Sequence, residues 1–296
     1  MATLTQSSEN STATLYVVGT PIGNLEDLTP RAARILREVA VVAAEDTRRT
    51  ATLLRHVGSG ATMLVADEHH EQRAAQRIAA HLAAGQSVAL VSDAGTPAIS
   101  DPGGRVVAAL RAEGWTIVAV PGACAAAAAL SIAGLTHAGG GWIFAGFLPT
   151  KTQERLRVLS VWKSRASDDL ALVFYEAPHR IDETLAALVE AFGVEREILI
   201  GRELTKVFEQ SVRLTLGDAL TWLESDANHA RGEFVLVVFP PLEQSVFVTG
   251  LDDAAEKVVS TLVAAGLPTK QVAQIAQQLT GVPKDMLYQR ALALKV

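Results

Sequence analysis

The chain has 296 residues, 49% hydrophobic and 20% charged, which excludes a disordered polar chain and leaves room for two modest domains with cores of their own. Its formal net charge of −6 argues against strong non-specific binding to nucleic acid, which needs a broad basic surface. The single cysteine, Cys124, excludes an internal disulfide, no Cys/His cluster has zinc spacing, and a reducing cytosol fits.

The first dozen residues are Ser/Thr/Asn-rich and lack a basic start followed by an apolar run, so they read as a disordered tail (1–13) rather than a signal peptide. Leu15 to Gly19 is a short apolar run that predicts a buried strand, followed by a loop, Thr20 to Asn24. Thr29 and Pro30 predict an N-cap and a first-turn proline for a helix from about Arg31. A strand is expected over Val39 to Ala44, ending at Glu45-Asp46-Thr47-Arg48, then a helical stretch and a helix over Ala74 to Ala84 stopped by Gly85. Ser87 to Val91 and Thr116 to Val120 read as strands on either side of a helix, Arg105 to Glu113. This alternation predicts a mostly parallel sheet with helices on its faces, over residues 14–137.

From Trp115 to Thr150 there is no Asp, Glu, Lys or Arg. Pro121-Gly122 and Gly139-Gly140-Gly141 interrupt that stretch, so strands and a close-packed alanine helix explain it better than a membrane span. The alternation restarts over residues 138–241, the boundary falling in the Gly-rich segment 138–141. Strands are predicted at Trp142 to Phe147, Leu170 to Tyr175, Glu197 to Arg202 and Phe234 to Phe239, with helices at Lys151 to Trp162 and Ile181 to Phe192. Residues 247–296 carry three short helical signals: Asp252 and Thr269 as caps, Gly281 as a stop and Pro283 at a start suggest a helix-turn-helix-like module.

Ligands of open α/β sheets bind beyond the carboxyl ends of the strands. Five predicted strands end in loops rich in Gly, Pro, Asp or Glu, at 19–24, 45–48, 92–103, 121–125 and 175–180. In Asp93-Ala94-Gly95-Thr96-Pro97-Ala98-Ile99-Ser100-Asp101-Pro102-Gly103, glycines and prolines fix a backbone that a flat ligand can approach. Asp93 and Asp101 suit a ligand bearing an ammonium or sulfonium group. No GxxxxGK[ST] or GxGxxG is present, which disfavours nucleoside triphosphates and dinucleotides.

The segment DAGTPAISDPG resembles the signature of the ribosomal small-subunit RNA 2'-O-methyltransferase I family, part of the tetrapyrrole-methylase-like group. VGTPIGNLEDLTPRA at 18–32, AEDTRRT at 44–50, PGACA at 121–125, FYEAPHRI at 174–181, RELTKVFE at 202–209 and GEFVLVV at 232–238 agree in order, and the tail resembles the family's C-terminal extension. The resemblance implies an α/β fold of two domains with S-adenosyl-L-methionine in the cleft between them and no metal. It implies a cytoplasmic homodimer whose partner is 16S rRNA or the small ribosomal subunit, with methylation at the 2'-hydroxyl of cytidine 1402 in the decoding centre.

The donor contacts it implies are Pro21, Asp93, Gly95, Thr96, Pro97, Ile99, Cys124, Ala125, Tyr175, Leu204, Gly232 and Glu233. Cys124 stands where the family pattern usually has serine, and a thiol is the poorer hydrogen-bonding group. Methyl displacement needs alignment of oxygen, carbon and sulfur, and a base or cation near the weakly acidic hydroxyl should help. Glu45 and Asp46 with Arg48, Glu176 with His179 and Arg180, and Arg202, Glu203 and Lys206 form three candidate clusters. Glu45 or Glu176 is expected to take or orient the proton, with Arg48, Arg180 and Lys206 on RNA phosphates or the developing alkoxide.

Plainer readings stand beside these: Glu45-Asp46 could serve only a helix N-terminus, and Arg180 could form an ion pair with Glu176 or Asp182. His69-His70 lack a third ligand, and Ala125 to Ala129 reads as tight packing. A tetrapyrrole or other small-substrate methyltransferase is the nearest rival, and a non-enzymatic nucleic-acid-binding protein the second.

Overall fold

A computed structural model describes residues 13–68, 70–135, 141–165, 170–241, 251 and 253–294. The residues read as a disordered tail (apart from Ala13), most of the Gly-rich boundary segment, His69 and the Asp252 cap lie outside the described residues. Two compact units are present, Met1–Pro240 and Pro241–Val296.

The first unit holds two five-stranded sheets. The strands of the first are β1 (Thr14–Val18), β2 (Val41–Ala44), β3 (Thr62–Val65), β4 (Val88–Val91) and β5 (Thr116–Val120), in the order β3-β2-β4-β1-β5 and all parallel. Helices α1 (Pro30–Glu38), α2 (Thr47–Val57), α3 (Glu71–Ala83) and α4 (Gly104–Ala112) cover it. Thr29 accepts from the Ala32 N–H and Pro30 opens α1, as its residue types predict. Alternate strand residues serve opposite faces. Val88 and Leu90 join Ile78, Leu82, Val106 and Leu110 on one side, while Ala89 and Val91 join Ile35, Leu36, Leu53 and Leu54 on the other.

The second sheet departs from the parallel arrangement that the restarted alternation suggests. Its strands are β6 (Trp142–Phe147), β7 (Ala171–Glu176), β8 (Glu197–Arg202), β9 (Gln210–Thr215) and β10 (Phe234–Val238), in the order β6-β7-β10-β8-β9. Only β6 and β7, joined through helix α6 (Thr152–Arg165), run parallel; β10 is antiparallel to both β7 and β8, and β8 to β9. A helical crossover permits parallel strands, whereas the short 203–209 connection can only reverse the chain. Helices α7 (Ile181–Phe192) and α8 (Leu216–Ser225) pack with α6 on one face. Helix α5 (Ala125–Ala133), which follows β5 of the first sheet, covers the other. Ala126, Ala129 and Ala133 lie on one face of α5, buried against Val173, Leu199, Val235 and Val237. Methyl side chains let that helix lie close to the sheet, the packing role expected of the alanine run.

Three features went unread in the sequence: β3, β9 and α8. The second unit consists of α9 (Asp253–Ala264), α10 (Thr269–Thr280) and α11 (Lys284–Ala293) around Val259, Val272, Ala276, Leu287 and Ala291. Gly281, with φ +73°, closes α10. Thr269 is the first residue of that helix rather than its cap; Pro268 holds the cap position and offers no side-chain acceptor. No helix among the described residues is long and apolar enough to cross a membrane.

Candidate active site

The strand order brings the informative loops together. β1 lies between β4 and β5, and β2 lies on the far side of β4, so the loops leaving β1, β2, β4 and β5 emerge side by side. Thr20 and Gly95 exchange backbone hydrogen bonds at 2.8 and 3.1 Å, tying the first loop to the third. The Asp46 N–H donates to Asp93 Oδ1 at 2.9 Å, tying the second loop to the third. Gly19 and Gly122 touch backbone to backbone: a Cβ on Gly122 would stand 2.6 Å from the Gly19 carbonyl carbon, so neither position accepts a side chain. Thr96 Oγ1 donates to the Ala123 carbonyl at 3.0 Å.

The 93–103 loop is held in an uncommon shape. Gly95 and Gly103 take φ +78° and +122°, and Ala98 and Ser100 reach +66° and +76° despite their side chains. Such backbone costs energy and persists only where its surroundings enforce it. Part of the enforcement comes from the buried Glu71, whose Oε1 accepts from the N–H groups of Gly103 at 2.6 Å and Arg105 at 3.3 Å. Glu71 thereby supplies the acceptor that α4 lacks at its own N-cap, Gly103.

These loops line one side of a cavity of about 490 Å³, and Tyr175, Leu204, Lys206, Glu233 and Val235 of the second sheet line the other. That size suits a small-molecule ligand. Ile22, Leu204 and Val235 offer apolar wall, whereas Glu45, Asp93 and Asp101 gather at the first-sheet side, with Arg49 as their neighbouring cation. A donor carrying a flat base, an ammonium and a sulfonium fits that division. The Tyr175 hydroxyl accepts from the Ala126 N–H at 3.1 Å, joining β7 to the start of α5. Burial, opposed by that hydrogen bond, pushes the phenol up, so it stays protonated.

Of the donor contacts expected, Asp93, Gly95, Thr96, Ile99, Cys124, Ala125, Tyr175, Leu204 and Glu233 lie on the cavity wall. Pro21, Pro97 and Gly232 do not. Gly232 has φ +91°, and a Cβ there would stand 2.6 Å from Glu203 Cδ. Arg49, Ser100 and Phe147 join the wall without having been singled out in the sequence.

The structure gives several of the catalytic candidates partners of their own. Asp46 caps α2, accepting from the Arg48 N–H at 2.8 Å, and its carboxylate also binds the Arg48 guanidinium at 2.9 Å. That hydrogen bonding holds Asp46 at about 2, and neither residue reaches the cavity wall. The plain helix-terminus reading therefore accounts for Asp46. Glu176 lines the cavity but its side chain is fully buried and its oxygens are engaged. Oε1 accepts from the Ala177 N–H at 2.7 Å and Oε2 from the Thr184 hydroxyl at 2.6 Å, while Arg180 Nε lies 3.4 Å from Oε1. Arg180 also donates to the Leu148 carbonyl. It is buried with Glu176 rather than presented to phosphates or paired at the surface as the alternatives had it.

Lys206 is on the wall, donating to Glu203 Oε1 at 2.7 Å and Glu233 Oε2 at 2.9 Å. Burial would lower this amine, but the two carboxylates outweigh it and hold the amine above its ordinary value. Lys206 thus remains a cation at neutral pH. Burial likewise works to raise the Glu203 carboxyl, and the Lys206 and Glu233 N–H hydrogen bonds hold it below its usual range.

Burial and the Asp93 charge raise Glu45, against the opposing pull of the Asp93 N–H and Arg49. Burial and the Glu45 charge push Asp101 up to about 6, with Asp93 adding to the effect and a Ser92 hydrogen bond opposing it. No group of three or more His, Cys, Asp or Glu side chains with metal-holding geometry occurs among the described residues.

Comparison with known proteins extends the picture along the whole chain. A family model described as Tetrapyrrole (Corrin/Porphyrin) Methylases matches residues 14–220, and one described as RsmI C-terminal HTH domain matches 249–295. The ribosomal RNA small subunit methyltransferase I of Pseudomonas aeruginosa is 45% identical over 286 residues, covering 95% of this chain and 98% of its own. That of Neisseria meningitidis serogroup B is 43% identical, covering 95% and 94%.

Among solved structures, the cobalt precorrin-4 methyltransferase CbiF superposes with a TM-score of 0.57 at 19% identity, over 79% of this chain and 98% of that one. The uroporphyrin-III C-methyltransferase of Thermus thermophilus, complexed with S-adenosyl homocysteine, gives 0.50 at 20% identity, over 76% and 97%. At those identities the likeness is one of fold. The curated relatives span both units at twice that identity, and on that ground the chain belongs to the ribosomal RNA small subunit methyltransferase I family, within the tetrapyrrole methylases.

Proposed function

We propose that the chain transfers a methyl group from S-adenosyl-L-methionine to the 2'-hydroxyl of the decoding-centre cytidine in small-subunit ribosomal RNA. The enzyme is read as a S-adenosylmethionine-dependent rRNA methyltransferase, working in the cytoplasm as a homodimer. The observation that carries this reading is agreement over 95% of the chain with enzymes named for that RNA, both units included. The small-substrate rival gives no role to a C-terminal module of the kind matched at 249–295.

On this reading residues 14–137 and 138–241 act as two halves around the donor. The donor supplies an activated methyl group on a sulfonium, so no metal is called for. The chain's part is to bind, align and move a proton. The 93–103 loop presents backbone and carboxylates to the donor's cationic groups, and Ile22, Leu204 and Val235 take its apolar face. Alignment of this kind supplies several kcal/mol of a bimolecular barrier. Lys206, still charged, sits where a cation steadies the developing alkoxide or a phosphate.

The test is to incubate the full-length protein with isotope-labelled S-adenosylmethionine and small subunits from cells lacking its gene. Label is then mapped by mass spectrometry of nuclease fragments. Label on one cytidine ribose is the expected result; donor binding without RNA label refutes the substrate assignment.

A further inference from the structure

We infer that Phe208 is a stacking platform for an unpaired nucleobase of the substrate RNA, next to the nucleotide that is methylated; this rests on the methyl transfer to RNA proposed above. The residue stands in the connection between β8 and β9. It is 72% exposed, the most exposed aromatic ring among the described residues, and its neighbour Val207 is 93% exposed. Single apolar side chains on a surface are ordinary. This pair differs in being held out by a loop that is costly to build.

Glu203 and Thr205 take φ +50° and +67°, the only residues with side chains in the left-handed region outside the 93–103 loop among the described residues. Thr205 Oγ1 is buried without a hydrogen-bond partner. Both features cost energy and persist only where their surroundings enforce them. The Thr205 N–H donates to Glu209 Oε2 at 2.6 Å, the Glu209 N–H to the Lys206 carbonyl at 3.0 Å and the Lys206 N–H to the Glu203 carbonyl at 3.0 Å. The buried Arg202 donates from Nη1 to the Phe208 carbonyl at 3.1 Å and from Nε to the Arg231 carbonyl at 2.6 Å. The Phe208 backbone is thereby fixed while its ring is left in solvent. A ring held in place beforehand loses little freedom on binding.

The position of the loop points to the occupant. Glu203, Leu204 and Lys206 line the cavity, so Phe208 stands just beyond the wall, within about 7 Å of chain from Lys206. An RNA strand whose ribose enters the cavity carries its adjoining nucleotides over this rim. Every base has a flat face that an aromatic ring can cover, whatever the sequence. The net charge of −6 limits what phosphate contacts contribute, and stacking holds RNA without charge. Two side chains fall far short of the roughly 800 Å² per partner of a stable protein interface. The charged Lys206 and Glu209 flank them, so the tip fits a base rather than a second copy of the chain.

Phe208→Ala, Phe208→Leu and Phe208→Trp in the full chain test this. Methylation kinetics are measured on small subunits from cells lacking the gene, with donor titration by calorimetry and sedimentation of each variant. Phe208→Ala is expected to raise KM for the subunit by roughly 5- to 100-fold, with kcat and donor affinity within about threefold of wild type. Because stacking carries no charge, that loss should be equal at low and high salt, unlike the loss of a phosphate contact. Phe208→Leu keeps apolar bulk without a ring face and should behave like Phe208→Ala, whereas Phe208→Trp should restore KM. A wild-type KM for Phe208→Ala overturns the inference. So does rescue by Phe208→Leu, which would make the contact merely apolar, and so does a salt-dependent loss, which would mean that Lys206 had moved. A change of oligomeric state in Phe208→Ala would assign the tip to a second copy of the chain and overturn it too. Wild-type enzyme that binds donor but methylates no subunit RNA overturns the parent reading and this one with it. Active wild type with any of the preceding results overturns this one alone.

Discussion

Glu71→Ala removes the side chain that fixes the far end of the 93–103 loop. The carboxylate receives two backbone N–H groups, those of Gly103 and Arg105, and is itself buried. Hydrogen bonds to a charged partner contribute about 1.5–3 kcal/mol each, and a buried donor left unsatisfied loses about 1–3 kcal/mol. The Arg105 N–H is only part-buried and regains water, so the Gly103 donor dominates and the expected loss is about 2–4 kcal/mol. In a domain of this size each kcal/mol lowers Tm by about 2–4 °C, so the variant should melt roughly 5–15 °C below wild type. Because Ala98 and Ser100 are held at positive φ by the same anchorage, donor affinity should fall as well. Glu71→Gln keeps one neutral acceptor and should lose about half as much. Calorimetric melting and donor titration of both variants check this. A Tm within about 2 °C of wild type for Glu71→Ala, with donor affinity unchanged, would refute the anchoring role.

Two further outcomes follow from the same geometry. Gly122→Ala forces a Cβ to within 2.6 Å of the Gly19 carbonyl carbon, and since both partners are backbone, neither can swing aside. It should cost about 1–3 kcal/mol and reduce donor affinity by at least tenfold in calorimetry, whereas an alanine variant that binds as wild type would show that the two loops can part freely. Asp101→Asn should stabilise the fold above pH 6 and leave it unchanged below pH 4. The folded carboxyl titrates at about 6 against 3.8 unfolded. Its favourable contribution is therefore complete below the unfolded value and lost as pH rises through the folded one. The shift sets a ceiling of about 3 kcal/mol, which solvent screening of a half-buried group brings to roughly 1 kcal/mol. Denaturant unfolding at pH 4 and pH 8 measures it, and equal differences at both would contradict a raised Asp101.

The pattern of apolar runs and breakers placed Thr116–Val120, Trp142–Phe147, Ile181–Phe192 and Glu197–Arg202 to the residue, because each is an unbroken apolar-rich run between strong stops. β3, Thr62–Val65, was not legible: four residues, three of them exposed, leave no periodicity to read. β9, Gln210–Thr215, is an edge strand with no fully buried residue, and only its pairing with β8 makes it a strand. The antiparallel course of β8, β9 and β10 was hidden for the same reason, since strand direction follows from which neighbours pair.

The strand-end loops that the residue types single out are loops that line the cavity. Loops carrying Gly, Pro and acidic residues follow the strands of a parallel sheet, and such sheets bind ligands at that edge. What each charged residue does there was decided by tertiary structure. Asp46, Glu176 and Asp101 are alike as carboxylates, yet one caps a helix, one is sealed with Arg180 and Thr184, and one faces the cavity beside Glu45. Those differences depend on desolvation and on partners, some of them far away in the chain. Glu71 and Gly103, 32 residues apart, meet only once α3 and α4 are packed on the sheet. Local residue type places a carboxylate on a loop; its protonation and its freedom to accept a proton depend on neighbours that only the fold supplies.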